Sequence, residues 1–301
     1  MLITICVCTM GRAHLAGTLL SVVGQDLPPG CEAEVLVIDN APGGPARAIV
    51  DAAAGTGRHP IRYEIESRPG LSFARNKVLE MARGDWLALI DDDEVAKPHW
   101  VMQLLDAARR HRADAVIGTV AFDYTEQPPR FIEASRIFER AVPPTGTLIG
   151  LGKAHTANAL LRRSFITGHG LRFAEAFNTT GGEDSDLFRR LIDKGGRIVS
   201  ASDAIVSELV PRERMTESYF RRHSLRTGET YARVMCLHGG WLAAAAVAVR
   251  AAFNVMAAAA IMLVLRLLRR DAQYHYLMLL LRNAGKLRYL AGVSPIEMYA
   301  R

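Results

Sequence analysis

Cysteine is scarce in this chain of 301 residues: there are four (Cys6, Cys8, Cys31 and Cys236), with no metal-spaced cluster among them. That excludes a zinc ribbon and a disulfide-stapled mini-fold. Cys6 and Cys8 fall on one face of a predicted strand, where neighbours seldom form a disulfide, so buried reduced thiols in a reducing compartment are expected. A basic leader with an apolar stretch and a small-residue cleavage site is also missing; nothing suggests export, and the bulk of the chain is expected in the cytosol. No internal repeat is visible. Disorder-type bias is absent as well, since 50% of residues are hydrophobic and 23% charged, the balance of a globular protein. The length suits one large α/β domain with an appendage.

Charge is unevenly spread. The net charge of +6 lies wholly within residues 241–301, so the first 240 residues are neutral overall. A pI of 9.3 would suit nucleic acid if the basic residues were spread over a folded face. Confined to an Ala- and Leu-rich tail, they point to anionic lipid headgroups, and no nucleic-acid partner is expected.

LITICVCT at the start is a nearly continuous apolar run rich in β-branched residues, followed by Gly11 and then helical spacing from His14 to Val23. EVLVIDN (34–40), IRYEIE (61–66) and WLALIDDDE (86–94) read as further strands, with helical segments near 45–54 and 72–83. Strands that alternate with helices and lose their polar alternation imply a mainly parallel central sheet covered on both sides. Ligands bind such sheets beyond the carboxyl ends of the strands, where Thr9, Asp39 with Asn40, and Asp91 to Glu94 stand. Helix 100–112, strand AVIGTVAF, a Pro-rich stretch to about Gly152 and strand HTANALLRR follow. A Gly-rich loop (178–182) then opens EDSDLFRRLIDKGG, a helix ended by two glycines.

Asp91-Asp92-Asp93-Glu94 is the strongest single feature, because carboxylates concentrated at a strand end repel one another unless a cation joins them. Hard carboxylate oxygens suit Mg²⁺ or Mn²⁺, which complete their shells with substrate phosphates and water; the alternative is an acidic helix N-terminus. Glu183 and Asp184 open a helix behind a glycine pair. They read either as a capping cluster or as a source of a general base.

Taken together, CTMGR (8–12), VIDN (37–40), RPGLSFARNKVLEMARGDWLALIDDDE (68–94) and GGEDSDLFRRL (181–191) resemble the motifs of family-two glycosyltransferases of the GT-A fold, over roughly residues 2–235. Within that family they are most similar to bacterial exopolysaccharide enzymes of the succinoglycan type. The resemblance implies a Rossmann-like nucleotide-sugar fold and transfer of a hexose from a UDP-sugar with inversion. It implies nucleotide-sugar contacts from Thr9, Arg12, Asp39, Arg75, Asp91 and Asp92, a metal ligand in Asp93, and catalysis by Asp184 with Glu183 beside it. Asn76 borders the same site. A basic segment after the catalytic helix, RRHSLRTGE (221–229), adds Arg222, His223 and Arg226, although the tryptophan often found there is missing. His155 and Asn158 stand near the presumed acceptor side. A sugar nucleotidyltransferase would share the sheet and the metal, but CTMGRAH lacks the Gly-rich, Lys-containing loop such enzymes use. A silent glycan-binding protein is the other alternative, which turnover decides.

From Trp241 to Leu265 the chain is almost wholly apolar, broken by Arg250 and Asn254 four residues apart on one helical face. The span is long enough to cross a bilayer, but an Arg near its centre is costly there and both flanks are basic. Helices in the interface or a re-entrant hairpin fit better than one crossing. The expectation is a GT-A domain over 1–235 and a helical membrane-associated region over 236–301. It would work at the cytoplasmic face of the inner membrane on a saccharide acceptor, polyprenyl-linked by preference.

Overall fold

The computed structural model describes residues 1–297. The chain divides into two compact units, one of residues 1–121, 140–178 and 183–208, the other of 122–139, 179–182 and 209 onward. The expected boundary at 235/236 falls inside a long helix that begins at Glu217, and 298–301 lie outside the described residues.

The first unit opens with β1 (Leu2–Thr9), α1 (Leu15–Val23), β2 (Glu32–Asp39), α2 (Arg47–Ala53), β3 (Ile61–Ile65), α3 (Leu71–Met81), β4 (Trp86–Asp91) and β5 (Glu94–Ala96). It continues with α4 (Trp100–Arg110), β6 (Ala115–Tyr124), β7 (Asn158–Arg162), α6 (Arg163–Gly168), α7 (Glu183–Asp193) and β8 (Ile198–Val210), while α5 (Arg130–Ser135), between β6 and β7 in sequence, belongs to the second unit. All eight strands form one sheet in the order β3-β2-β1-β4-β7-β6-β8-β5. The parallel portion is β3-β2-β1-β4. β7 runs antiparallel to both β4 and β6, and β5 antiparallel to β8. The fold is therefore a mixed α/β sheet of the expected class, with its parallel strands gathered in one half. An apolar run carries no mark of direction, so AVIGTVAF and HTANALLRR do not announce their antiparallel pairing.

Both faces of the parallel half are buried, which explains the unbroken apolar runs: Ile3, Ile5, Val7, Val35, Leu36, Val37 and Leu87 are fully inaccessible. α3 packs on β1 and β2, and α1 on α2 and β5. α4 shows the usual amphipathic logic, burying Trp100, Val101, Leu104, Leu105 and Ala108 while placing Arg109 and Arg110 in its last turn, where positive charge opposes the helix dipole. Registry then positions the chemistry. Thr9 lies opposite Asp39 and Cys8 opposite Asp91, so the carboxyl ends of β2, β1 and β4 meet along one sheet edge.

Asn158 ties the interior of the sheet together. Its amide oxygen accepts from Trp100 Nε1 at 2.8 Å, and its nitrogen donates to the carbonyls of Thr119 (2.9 Å) and Ala204 (2.8 Å). Gly118 makes room, since a Cβ there would collide with this amide. Asn158 is fully buried, so it locks strands together and offers nothing to an acceptor.

In the second unit, Ile132, Ile137, Phe138, Val210, Met215, Phe220 and Met278 form a small core. It supports α8 (Glu217–Leu267), which is kinked at Gly240 (φ 61°), and α9 (Gln273–Leu290), which packs back on α8 and on α5. Thr216 caps α8 by accepting from Tyr219 N at 3.3 Å. Where α8 and α9 cross, a Cβ on Gly228 or Gly285 would strike the partner helix's backbone, so the two glycines set the approach.

Replacing Asn158 with Ala strands three buried partners, each worth about 1–3 kcal/mol when left unsatisfied. A denaturant melt of Asn158→Ala is expected to show a loss in that range or above, with nucleotide affinity per folded molecule unchanged.

Candidate active site

The site is built where the strand ends meet. Gly11, just beyond β1, has φ 76°, and a Cβ there would meet Pro45 at 2.7 Å. Glycine is required both for the backbone angle and for the approach. The turn it makes lets Thr9 Oγ1 accept from Gly11 N at 3.0 Å and donate to Asp92 Oδ2 at 2.6 Å. Thr18 Oγ1 donates to the Asp92 carbonyl at 3.0 Å, and Arg12 stands 3.6 Å from Asp92 and 3.9 Å from Asp93. Asp92 is thus a stitch between the first loop and the acidic turn. Burial pushes its carboxyl up, against the Thr9 hydrogen bond and the Arg12 charge.

Asp39 is fully buried. Its two oxygens accept from Ala41 N at 3.1 Å, Ala46 N at 2.8 Å and the Tyr63 hydroxyl at 2.8 Å. It organises the loop leading into α2. Burial and then the bond to Asp39 push the Tyr63 phenol up to about 12. Asn40 next to it donates to the carbonyls of Glu66 (2.9 Å) and Arg68 (2.7 Å) and accepts from Gly70 N at 2.9 Å. Gly70 has φ 138°, and its space is closed by Asn178, which accepts from Ser72 N at 2.9 Å. Tyr63, Glu66 and Asn178 escaped the sequence reading as site-shaping residues, whereas Asn40 was singled out with Asp39 at a strand end.

Arg75 lies at the centre of the site. It is buried on α3, forms an ion pair with Glu183, reaches Asp91 Oδ1 at 3.5 Å and covers the Phe173 ring at 5.7 Å. Burial alone lowers the affinity of a guanidinium for its proton, yet the carboxylates of Glu183 and Asp91 raise it. Glu183 is therefore engaged as a charge partner at the N-terminus of α7. Asn76, beside Arg75, is spent on structure, exchanging two 2.8 Å bonds with the backbone of Phe173.

Asp184 differs from its neighbour. It is half-buried, and one oxygen accepts from Ser185 N at 2.6 Å. The other makes no hydrogen bond among the described residues, which leaves a carboxylate oxygen open to a hydroxyl. Asp91 and Asp93 are the carboxylates at this strand end that would offer hard oxygen donors to a cation. Burial pushes the Asp91 carboxyl up, opposed by Arg75 and reinforced by Asp93, and Asp93 is 24% exposed at its side chain. The described residues contain no group of three or more metal-type ligands placed to hold an ion. Two carboxylates at a strand end fit a Mg²⁺ or Mn²⁺ that takes one or two protein oxygens and fills its shell with phosphate and water. Glu94 turns inward, accepting from Asp91 N at 2.9 Å, with its other oxygen buried and unbonded. Burial and then Asp91 push its carboxyl well above the ordinary 4.5.

Thr9, Arg12, Asp39, Arg75, Asp91, Asp92, Asp93, Glu183 and Asp184 all belong to the first unit. Arg222, His223 and Arg226 belong to the second, on α8. There Arg222 donates to the Glu297 carbonyl at 3.2 Å, Arg226 to the Thr180 carbonyl at 3.2 Å, and the His223 ring stacks on Tyr219 at 5.4 Å. His155, ahead of β7, has both ring nitrogens buried without a hydrogen-bond partner. Burial, with Arg140 adding to it, pushes the imidazole down to about 3. Such a ring is neutral and a weak base at neutral pH.

Residues 4–167 match the model of the family described as glycosyl transferase family 2. This chain belongs to glycosyl transferase family 2. The transferase is 32% identical over 306 residues to the succinoglycan biosynthesis protein ExoM of Rhizobium meliloti, spanning 99% of this chain and 95% of that one. It is 29% identical to succinoglycan biosynthesis protein ExoU of the same organism, over 61% of this chain and 56% of that one. Among solved structures, S. aureus TarS 1–349 in complex with UDP superposes with a TM-score of 0.56 at 16% identity, over 97% of this chain and 92% of that one. That likeness shows the transferase's fold.

Two changes test the electrostatics. Arg75→Leu leaves Glu183 and Asp91 uncompensated and is expected to cost about 3–5 kcal/mol in a denaturant melt, whereas Arg75→Lys keeps the charge and recovers part of it. Glu94→Gln reports on pH. Below the ordinary value of 4.5 the carboxyl is protonated folded and unfolded, and nothing is lost. As pH rises, the unfolded chain ionises first and the folded state is penalised. The melting temperature of Glu94→Gln in EDTA is therefore expected to gain on the parent as pH rises above the ordinary carboxylate value of 4.5.

Proposed function

We propose that this transferase moves a hexose from a UDP-sugar, with inversion, onto a saccharide acceptor carried on a polyprenyl lipid, in the assembly of an exopolysaccharide at the cytoplasmic face of the cell membrane. The observation that carries the reading is the pairing of unlike carboxylates: Glu183 and Asp91 are held by Arg75, while Asp184 keeps an oxygen uncommitted. The UDP donor is supported by the S. aureus fold relative solved with UDP and with UDP-GlcNAc. The pathway is supported by end-to-end similarity to a succinoglycan biosynthesis protein.

In this reading Asp184 takes the proton of the acceptor hydroxyl as its oxygen bonds to the anomeric carbon. The bond from that carbon to the diphosphate oxygen breaks on the opposite face, and UDP leaves with the electron pair. Asp91 and Asp93 would hold Mg²⁺ or Mn²⁺, which supplies positive charge to the departing diphosphate. Asp39, with Tyr63 and the 41–46 loop, shapes the edge where the nucleotide lies. Arg12 adds a cation near the acidic turn, and its two long contacts leave it able to turn toward phosphate.

The test is UDP release from a panel of UDP-sugars with Mn²⁺ or Mg²⁺ and a lipid-linked acceptor extract. Asp184→Asn is expected to lower turnover about 10²–10⁴-fold while UDP binding persists, and Asp93→Ala to abolish the metal-dependent release of UDP. A protein that binds glycans but no UDP-sugar would overturn the donor assignment in favour of a binding role.

A further inference from the structure

α8 beyond the kink presents two unlike faces. Val247, Ala251 and Ala258 are buried. At about 100° per residue, Leu242, Val249, Phe253, Met256, Leu263 and Leu267 share a stripe about 80° wide on the opposite side, running about 38 Å along the helix. These six are solvent-exposed, Val249 by 73% and Leu267 by 75%. The stripe contains no charge. Arg250 and Arg266 stand about 100° to either side of its centre, and Arg269 and Arg270 follow its end. None of these four arginines makes an ion pair among the described residues, and residues 230–270 contain no Asp or Glu.

An apolar stripe edged by unpaired arginines matches a lipid surface of negative charge: the stripe enters the acyl boundary and the guanidinium groups stay at phosphate level. By length and composition α8 is able to cross a bilayer, but its backing helix is not. α9 holds Arg282, Lys286 and Arg288 within its span. It meets α8 through polar groups, with Asn254 3.5 Å from Asn283 and Arg288 paired with Glu229 at 2.7 Å. α9 is also fastened to α5 by a 3.2 Å contact between His275 and the Ser135 carbonyl and by packing of Tyr274 on Phe131. A crossing of α8 would drag this charged layer into hydrocarbon.

We propose that residues 241–267 dock on an anionic bilayer surface, lying along it with the Leu242-to-Leu267 stripe immersed, and do not cross it. The proposal deepens the membrane part of the function given above and rests on it.

The experiment uses the full chain with phosphatidylcholine vesicles, with or without phosphatidylglycerol. Trp86 and Trp100 are buried, so a Trp241→Phe, Phe253→Trp variant reports depth through lipids brominated near the headgroup or near the chain end. The expected result is flotation with the anionic vesicles, weakened by salt, and strongest quenching by the shallow bromines. Phe253→Asp with Met256→Asp is expected to lower vesicle binding about tenfold or more, and Arg250→Gln with Arg266→Gln to remove the preference for anionic lipid. Both pairs should keep parental circular dichroism and UDP binding. Quenching strongest at the bilayer centre would overturn the proposal in favour of a crossing helix, as would equal binding to neutral vesicles. So would vesicle-indifferent protein whose stripe variants turn a dimer into a monomer, which would make a second copy the occupant. A missing UDP-sugar activity with normal vesicle docking would instead fail the transferase reading alone.

Discussion

A guanidinium buried among carboxylates has to be matched in charge and held in place, and the catalytic half of this protein is arranged around that requirement. Arg75 rises from α3, pairs with Glu183 at the start of α7 and reaches Asp91 at the end of β4. Elements about a hundred residues apart in sequence are thereby fixed to one point. Without the cation, the acidic strand end and the acidic helix N-terminus would repel each other across a poorly solvated gap. With it, Glu183 is neutralised and Asp184, one residue on, is left available.

The backbone around this point is set by few residues. Gly11 and Gly70 take positive φ where a side chain would meet Pro45 or Asn178, and Asp39 and Asn40 spend their polar atoms on loop amides and carbonyls. These loops form a rigid rim at the sheet edge. The candidate catalytic carboxylates stand on the ends of a strand and a helix, which places them more precisely than loops alone would. The second unit follows another logic. Its small aromatic core holds two helices crossing through Gly228 and Gly285, and one helix is left with an apolar face open to solvent.

Legibility in the sequence varied with the kind of interaction. The first four strands were readable because burial on both faces removes polar alternation, and the Asp91–Glu94 turn was readable because its charge density is costly. The strand Ile198–Val210 was not, since serines and Asp203 break its apolar run while the sheet still pairs it. Asn158 and Asn76 drew attention as polar residues beside the site, yet both satisfy buried backbone or indole groups. A sequence shows an amide but not what it bonds. Glu183 and Asp184 were inseparable in sequence, being adjacent acids at a helix start.

The sequence by itself determined the α/β class and the basic, apolar character of the tail, because these rest on periodicity and local charge, and its motifs carried the resemblance to the family and pointed to the candidate site at the strand ends. Only the tertiary structure decided which carboxylates are neutralised, which polar side chains are structural, where the sheet turns antiparallel and which face of α8 is covered. Those depend on contacts between residues distant in the chain. Composition and spacing carry no record of such partners until packing brings them within a few ångströms.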